Sequence, residues 1–484
     1  MSKHVSGARD SRWISLVVLC VGMLMIVLDN TVVNVALPSI QKDMGFTQAS
    51  LAWVVNAYLI AFGGLLLLAG RLGDLIGSKR VFLAGLVLFT VASLLCGLAW
   101  SAQVLVIARF VQGIGGAMAS SVILAMIVTM FTDPGERARA MGVFSFTASA
   151  GGSVGLLLGG GITQLVNWHW VFLLNVPIGI AAFFVAVKVL QDNAGIGLRG
   201  GADLLGAALI TAALMLAVYT VVEIPSAGLT SAHTLLFGAV ALVLFAAFIA
   251  RQATTEKPLL RLDVFKSRNV SGSNILQVLV AAGLFGFFFV DSLYLRTVLG
   301  YDAIMTGFAF LPVTVSIGAF SLGWSAQLTV RFGARAVVVT GIAMGAAGLG
   351  IFALAPLDAG YFTTIFPAML LMGIGVGTSL PSVMLFAMAD ATPSNSGLIS
   401  GLVNTTAQVG GAFGLAVLAT LSAFKTHAAL GAGASKIAAL SAGYHLAFGT
   451  AALLVALAVL VSATMLQPEK LEREPHGADL PATA

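Results

Sequence analysis

The chain is predicted to be an all-α polytopic membrane protein with fourteen transmembrane helices. Composition, the spacing of apolar runs, and the distribution of Lys and Arg carry that prediction. Of 484 residues, 59% are hydrophobic and 9% charged, and the mean hydropathy is +1.03. Soluble globular chains carry about 25% charged residues. So little charge cannot cover a water-facing surface, which excludes a soluble enzyme, a nucleic-acid-binding protein and a disordered chain. The net charge of +5 reads as anchoring of cytoplasmic loops, not as affinity for a polyanion. Cys20 and Cys96 lie in apolar runs and form no disulfide framework.

A membrane-crossing helix needs about 20 mostly apolar residues. In chain order the runs that satisfy this are 14–37, 51–69, 81–99, 103–127, 141–164, 170–190, 203–222, 233–250, 272–295, 304–326, 336–355, 361–386, 397–422 and 443–466. The first is too long for a signal-peptide core and carries Asp29 and Asn34, so it is read as a span and no removable leader is expected. With both termini cytoplasmic, 19 of the 24 Lys and Arg fall on inner segments, four on outer ones, and Arg109 lies within a span. That is the bias expected of inner loops, and it requires an even number of spans.

Polar stretches divide the chain into a cytoplasmic N-terminus (1–13), a six-helix bundle (14–190), an inserted transmembrane hairpin with cytoplasmic linkers (191–269), a second six-helix bundle (270–466) and a cytoplasmic tail (467–484). An internal repeat supports the division. Gly70-Arg-Leu-Gly-Asp74-Leu-Ile-Gly77-Ser-Lys79 follows the second span, and Ala326-Gln-Leu-Thr-Val-Arg-Phe-Gly-Ala-Arg335 follows the tenth, 256 residues later. Parallel repeats about an axis normal to the membrane are a common transporter plan.

Four stretches hold polar or small residues where hydrocarbon disfavours them or backbones must approach. In the Gly70–Arg80 loop the glycines permit a tight turn, and Asp74 is suited to a helix N-terminus, where the macrodipole favours negative charge. Arg109-Phe-Val-Gln112-Gly113-Ile-Gly-Gly places an arginine inside a span, which costs about 2.5–3.5 kcal/mol unless it is paired or wetted. In Leu28-Asp29-Asn-Thr31-Val-Val-Asn34-Val-Ala-Leu-Pro38, Thr31 and Asn34 are suited to hydrogen-bond a partner within the bundle. Asp29 is either a proton or cation site or a structural carboxylate paired with Arg109. Gly151, Gly155, Gly159 and Gly160 form a small-residue stripe in the fifth span.

The Gly70–Arg80 loop resembles the signature loop of the major facilitator superfamily, and the Arg109 stretch resembles that superfamily's second motif. The Asp29 stretch resembles the first-span motif of its fourteen-span drug/proton antiporters, often called EmrB/QacA-like. Trp168-His-Trp170-Val-Phe-Leu-Leu-Asn175-Val-Pro177-Ile-Gly179 and Gly397-Leu-Ile-Ser400-Gly401-Leu-Val-Asn404-Thr-Thr-Ala-Gln408-Val-Gly410-Gly411 resemble the same branch, with His169 where arginine is usual. One departure is plain: Leu156 stands where the superfamily's antiporters carry the proline of a Gly-Pro-x-x-Gly-Gly motif. The glycines are left to supply helix flexibility.

The resemblance implies the major facilitator fold and alternating access. It implies a proton-coupled exporter of amphipathic, cationic compounds, or alternatively a dedicated exporter of one metabolite or self-made antibiotic. A non-transporting membrane sensor is a third reading. Asp29, Asn34, Arg109 and Gln112 are the implied coupling and recognition residues; Asp291 is added to them on its own chemistry, since the resembling exporters usually carry an apolar residue there and Gln at the Arg296 position. Gly70, Asp74, Gly77 and Arg80 are the inner gate, and Asn404 and Gln408 are cavity candidates. Asp291, in Phe287-Phe-Phe-Val-Asp291-Ser-Leu-Tyr294-Leu-Arg296, is either a second protonation or cation site or an outer-end carboxylate paired with Arg296. The chain lacks a Walker loop, metal-ligand histidine spacing and a Gly-x-Ser-x-Gly elbow, so no enzymatic activity, cofactor or metal is expected. Expected partners are a small-molecule substrate, protons and the lipid bilayer, with no nucleic acid. A monomer in a bacterial cytoplasmic membrane is the implied setting.

Overall fold

A computed structural model describes residues 2–131, 133–192, 195, 197, 201–388 and 396–467. The expected tail beyond 467 and much of the 193–200 linker lie outside the described residues. Every element within them is helical.

The first half comprises α1 (Ser2–Met44), α2 (Trp53–Ile76), α3 (Ser78–Gly97), α4 (Ala102–Met130) and α5 (Pro134–Leu165). Its sixth crossing is broken at Leu174 into α6 (His169–Leu173) and α7 (Asn175–Val189). The inserted hairpin is α8 (Leu204–Ala227) and α9 (Ala232–Thr254). The second half begins with α10 (Arg268–Thr297). Its next crossing is segmented into α11 (Ala303–Ala309), α12 (Leu311–Ala319) and α13 (Ser325–Phe332), with Pro312 at the first break and a π-turn at Phe320–Trp324. Proline removes a backbone donor and disfavours a continuous helix there. The bundle closes with α14 (Ala334–Ala353), α15 (Phe366–Ala387), α16 (Ser396–Gly431) and α17 (Lys436–Met465).

Among the described residues, thirteen helices are long and apolar enough to cross a membrane. The fourteenth expected crossing, 141–164, falls on α5, whose described apolar portion is Val154–Leu165. Helix starts follow from capping side chains. Ser101, Asp133, Asp203, Ser231 and Asp302 each accept from the backbone N–H three residues on, satisfying a donor the helix leaves orphaned.

The repeat is visible in the backbone. Gly77 ends α2 at φ +98°, and Gly333, 256 residues on, ends α13 at φ +84°. Packing repeats too. A β-carbon at Gly85 would lie 2.6 Å from the backbone N of Ala119 on α4, and one at Gly341 would lie 2.6 Å from the carbonyl of Gly375 on α15. Lipid tails are as apolar as leucine, so helix association rests on such close approach.

The two halves join most clearly at the end opposite the start of α1, the end expected from the Lys and Arg bias to be the outer one. There Ser292 Oγ donates to the Asn34 carbonyl at 2.5 Å, and Arg296 Nη1 to Ser39 Oγ at 3.0 Å. Ala303 N donates to Gln164 Oε1 at 3.1 Å, and Gln48 Nε2 to Ser422 Oγ at 2.7 Å. Helix α8 lies over the seam between halves. Its Thr211 sits against Gly64 of α2, and its Val221 carbonyl accepts from Thr420 of α16 at 3.0 Å.

Candidate functional site

The third turn of α4 carries Arg109 into the interior of the first half, where it is fully buried. Its Nη1 donates to Asp29 Oδ2 on α1 at 2.5 Å and to Gln112 Oε1 at 2.6 Å, while Nε donates to the Val54 carbonyl of α2 at 2.8 Å. Arg109 and Gln112 are three apart and so share a helix face. Gln112 Nε2 donates in turn to Asp29 Oδ1 at 2.7 Å and to Ser93 Oγ at 2.8 Å, and Asn175 Nδ2 reaches Asp29 Oδ1 at 3.3 Å. The guanidinium carbon lies 4.4 Å from the Tyr58 ring centroid and 5.7 Å from that of Phe172. Five crossings (α1, α2, α3, α4 and the broken α6–α7) thus converge on one carboxyl–guanidinium pair. Opposite charges and satisfied hydrogen bonds are what make such a pair tolerable away from water.

Of the residues singled out in the sequence, Asp29, Arg109 and Gln112 come together. Asn34 does not join them. Its Nδ2 donates to the Asn30 carbonyl at 2.9 Å, and Thr31 donates to Val27 and Leu28 of its own helix. The expected side-chain partners across the bundle are replaced by these local bonds, because the i−4 carbonyl lies within easy reach of a helical Asn or Thr. The contact of residue 34 with the other half is made by its backbone carbonyl. Ser93, Asn175 and Tyr58 had no role assigned from the sequence.

Asp74 is also placed differently from expectation. It lies in the last turn of α2, not at a helix N-terminus; its side chain is 67% exposed and 3.8 Å from Arg71. Its position follows from Gly77, whose left-handed φ ends the helix three residues later. Arg80 is exposed, while the neighbouring Lys79 pairs with Asp192 at 3.2 Å. Gly70 has room for a β-carbon, its nearest neighbour being Ser121 at 3.9 Å.

The α5 glycines line a packing seam. Gly151, Gly155 and Gly159 face Leu24, Thr31 and Val32 of α1. A β-carbon on Gly160 would lie 2.5 Å from the Ala303 carbonyl in the other half, and one on Gly307 would lie 2.6 Å from that of Leu156. The helix runs through buried Leu156 as one element. In this conformation the glycines give close contact between helices, not a kink.

Asp291 on α10 is fully buried, and among the described residues neither carboxyl oxygen has a hydrogen-bond partner. The expected pairing with Arg296 is absent, since that guanidinium is directed to Ser39. Five residues of helix place the two side chains well apart around the axis. On α16, Asn404 is exposed, and Gln408 packs its β-carbon against Gly63 of α2. A cavity of about 1140 Å³ lies between the α1–α2 turn, α2, the start of α4 and the hairpin, lined by Phe46, Trp53, Trp100, Met215 and Tyr219; it contains none of the coupling candidates.

Two repeated helical halves, an intercalated hairpin and an ion pair buried within spans define a membrane transporter. The chain belongs to the major facilitator superfamily, whose family model matches residues 19–195 and 191–415. It is 37% identical to the puromycin resistance protein pur8 of Streptomyces alboniger, over 89% of this chain and 85% of that one. It is 38% identical to the cephamycin export protein CmcT of Amycolatopsis lactamdurans, over 92% and 91%. Its fold is shared with a bacterial homologue of the human lysosomal transporter Spinster solved in an inward-facing, unoccupied conformation. There the TM-score is 0.67 at 16% identity, covering 94% of this chain and 98% of that one.

Proposed function

We propose that this protein is a proton-coupled exporter of amphipathic, cationic compounds that works by alternating access in a bacterial cytoplasmic membrane, with both termini inside. The observation that carries the reading is the buried Asp29–Arg109 pair. A charge pair enclosed by five membrane crossings is a poor stabilising device compared with apolar packing, but it is a good switch. Adding a proton to Asp29 removes the negative charge and leaves Arg109 with only neutral partners: Val54, Gln112 and the Tyr58 face. The arginine must then move toward water or another acceptor, and α4 moves with it against α1. Proton arrival is thereby converted into helix displacement.

The outer contacts describe a form closed to the outside, the form that receives substrate from the cytoplasm or inner leaflet. Opening to the outside admits protons, which neutralise Asp29 and favour release of a cation. The α2–α3 junction at Gly70–Arg80, with Asp74 and Arg80 exposed, suits an inner gate that engages only when the cytoplasmic ends close. We read the chain as a transporter acting as a monomer, without cofactor and without enzymatic chemistry. Relatives named for resistance to or export of single antibiotics favour a second reading on the same machinery, a dedicated antibiotic exporter.

The test is uptake of ethidium, puromycin and a cephamycin into everted vesicles under an imposed pH gradient. Accumulation that a protonophore abolishes supports the proposal, and accumulation of one compound only favours the dedicated exporter. Accumulation that survives the protonophore contradicts proton coupling.

A further inference from the structure

The outer third of α10 holds a second carboxyl in conditions opposite to those of Asp29. Asp291 is fully buried and unpartnered among the described residues. One turn inward are Phe287 and Phe288, which pack on Phe310, and one turn outward is Tyr294, whose hydroxyl donates to the Pro356 carbonyl at 3.3 Å. The cation five residues along the helix, Arg296, is engaged by Ser39. An isolated carboxylate held away from water and donors is strongly disfavoured against its neutral acid.

The flanking residues are the outer clamp itself. Ser292 bonds the Asn34 carbonyl and Arg296 bonds Ser39, so the turns on either side of Asp291 tie α10 to α1 across the seam. Water cannot reach the carboxyl until those ties part. We propose that Asp291 is a second proton site, loaded from the outside, whose neutral form is required for the outer gate to close. External hydronium gives its proton to a carboxylate oxygen while the gate is open; the neutral side chain then buries as α1 and α10 meet. Loss of that proton favours the open form. The proposal rests on the alternating-access reading but not on Asp29 as carrier or on any particular substrate.

Other titratable groups surround the site and must be controlled. Tyr294 and Arg296 share its helix, Tyr301 and Asp302 lie on the following loop, Tyr444 and His445 face Tyr294 from α17, and Tyr361 precedes α15. Helix α1 presents Asn34 and Ser39, which do not titrate. Asp263 and Lys266 lie at the opposite end of α10. Burial pushes the Tyr301 phenol above its usual range.

The experiment needs no substrate. Ala303, buried at the outer seam, is replaced by cysteine after Cys20 and Cys96 are changed to alanine. Right-side-out vesicles are labelled with a membrane-impermeant maleimide at external pH from about 5.5 to 8.5, with rates normalised to Ala432→Cys on the exposed outer loop. One linked proton shifts an equilibrium by up to about tenfold per pH unit, so labelling in the Asp291 background should rise by roughly tenfold or more with pH. Asp291→Asn should stay slow and flat, Asp291→Glu should recover the rise, and Asp302→Asn and His445→Gln should keep it. Unchanged Ala432→Cys labelling shows that Asp291→Asn folds. A pH rise that persists in Asp291→Asn overturns the proposal, as does a rise that vanishes only in His445→Gln. Failure of ethidium transport with the labelling pattern intact would instead count against the export reading alone.

Discussion

Replacing Asp29 by asparagine leaves the Arg109 charge enclosed with no counter-charge. Removing one partner of a buried pair costs about 3–5 kcal/mol. The structure puts this case near the lower figure. The guanidinium keeps the Val54 carbonyl and Gln112 Oε1 and lies 4.4 Å from the Tyr58 ring centroid, a contact worth about 2 kcal/mol when desolvated. Arg109→Gln alone strands the carboxylate instead, with only Gln112 and Asn175 donating to it, and should cost about 3–5 kcal/mol. Asp29→Asn combined with Arg109→Gln removes both charges at once. The remaining loss is the Val54 bond, about 1 kcal/mol, and the ring contact, about 2 kcal/mol. The expected order of thermal stability is therefore the parent first, the double variant level with or above Asp29→Asn, and Arg109→Gln last. Cys20 and Cys96 are both buried, so a thiol-reactive fluorophore reports unfolding directly in detergent. Single variants that melt with the parent, or a double variant less stable than Arg109→Gln, would rule out the buried pair as the source of these losses.

Three further outcomes follow from geometry. Gly160→Val places a branched side chain against the Ala303 carbonyl and should cost about 1–3 kcal/mol by overpacking, with raised outer-seam labelling; Gly161→Ala, which has open space, should change neither readout. Gly77→Ala and Gly333→Ala both force a β-carbon into a left-handed φ, and each should lower the melting temperature by an equivalent of about 1–2 kcal/mol. At the base of the hairpin, burial works against the Asp203 charge, but bonds from Gly206, Arg251 and Gln252 outweigh it and hold the carboxyl below its usual range. A depressed carboxyl contributes stability above its unfolded value and loses it as pH falls through the folded one. Acidification below about pH 4 should therefore destabilise the parent more than Asp203→Asn, measured by the same unfolding assay.

Spans were legible because hydrocarbon imposes a length and a composition on each crossing. The repeat was legible because one turn needs the same glycine twice, at 77 and 333. Asp29, Arg109 and Gln112 stood out because polar side chains in apolar runs are costly unless they meet. Ser93 and Asn175 did not stand out, since single small polar residues sit in spans for many reasons and only three-dimensional convergence picks these two. The partnerless state of Asp291 was equally hidden. The sequence places Arg296 five residues away, but only the clamp to Ser39 explains why that arginine is engaged elsewhere. Breaks at Leu174 and within 303–332 were missed because each crossing stays continuously apolar across its interruption.

Asp29 is proposed to exchange a proton for its hold on Arg109. The most direct measurement is substrate-triggered proton release from everted vesicles energised to an acid interior and followed with a pH-sensitive dye. Parent protein should release protons on addition of a transported cation. Asp29→Asn should release none, while still binding the compound in a fluorescence titration. Proton release that persists in Asp29→Asn at the parent's rate would show that Asp29 is not the proton carrier.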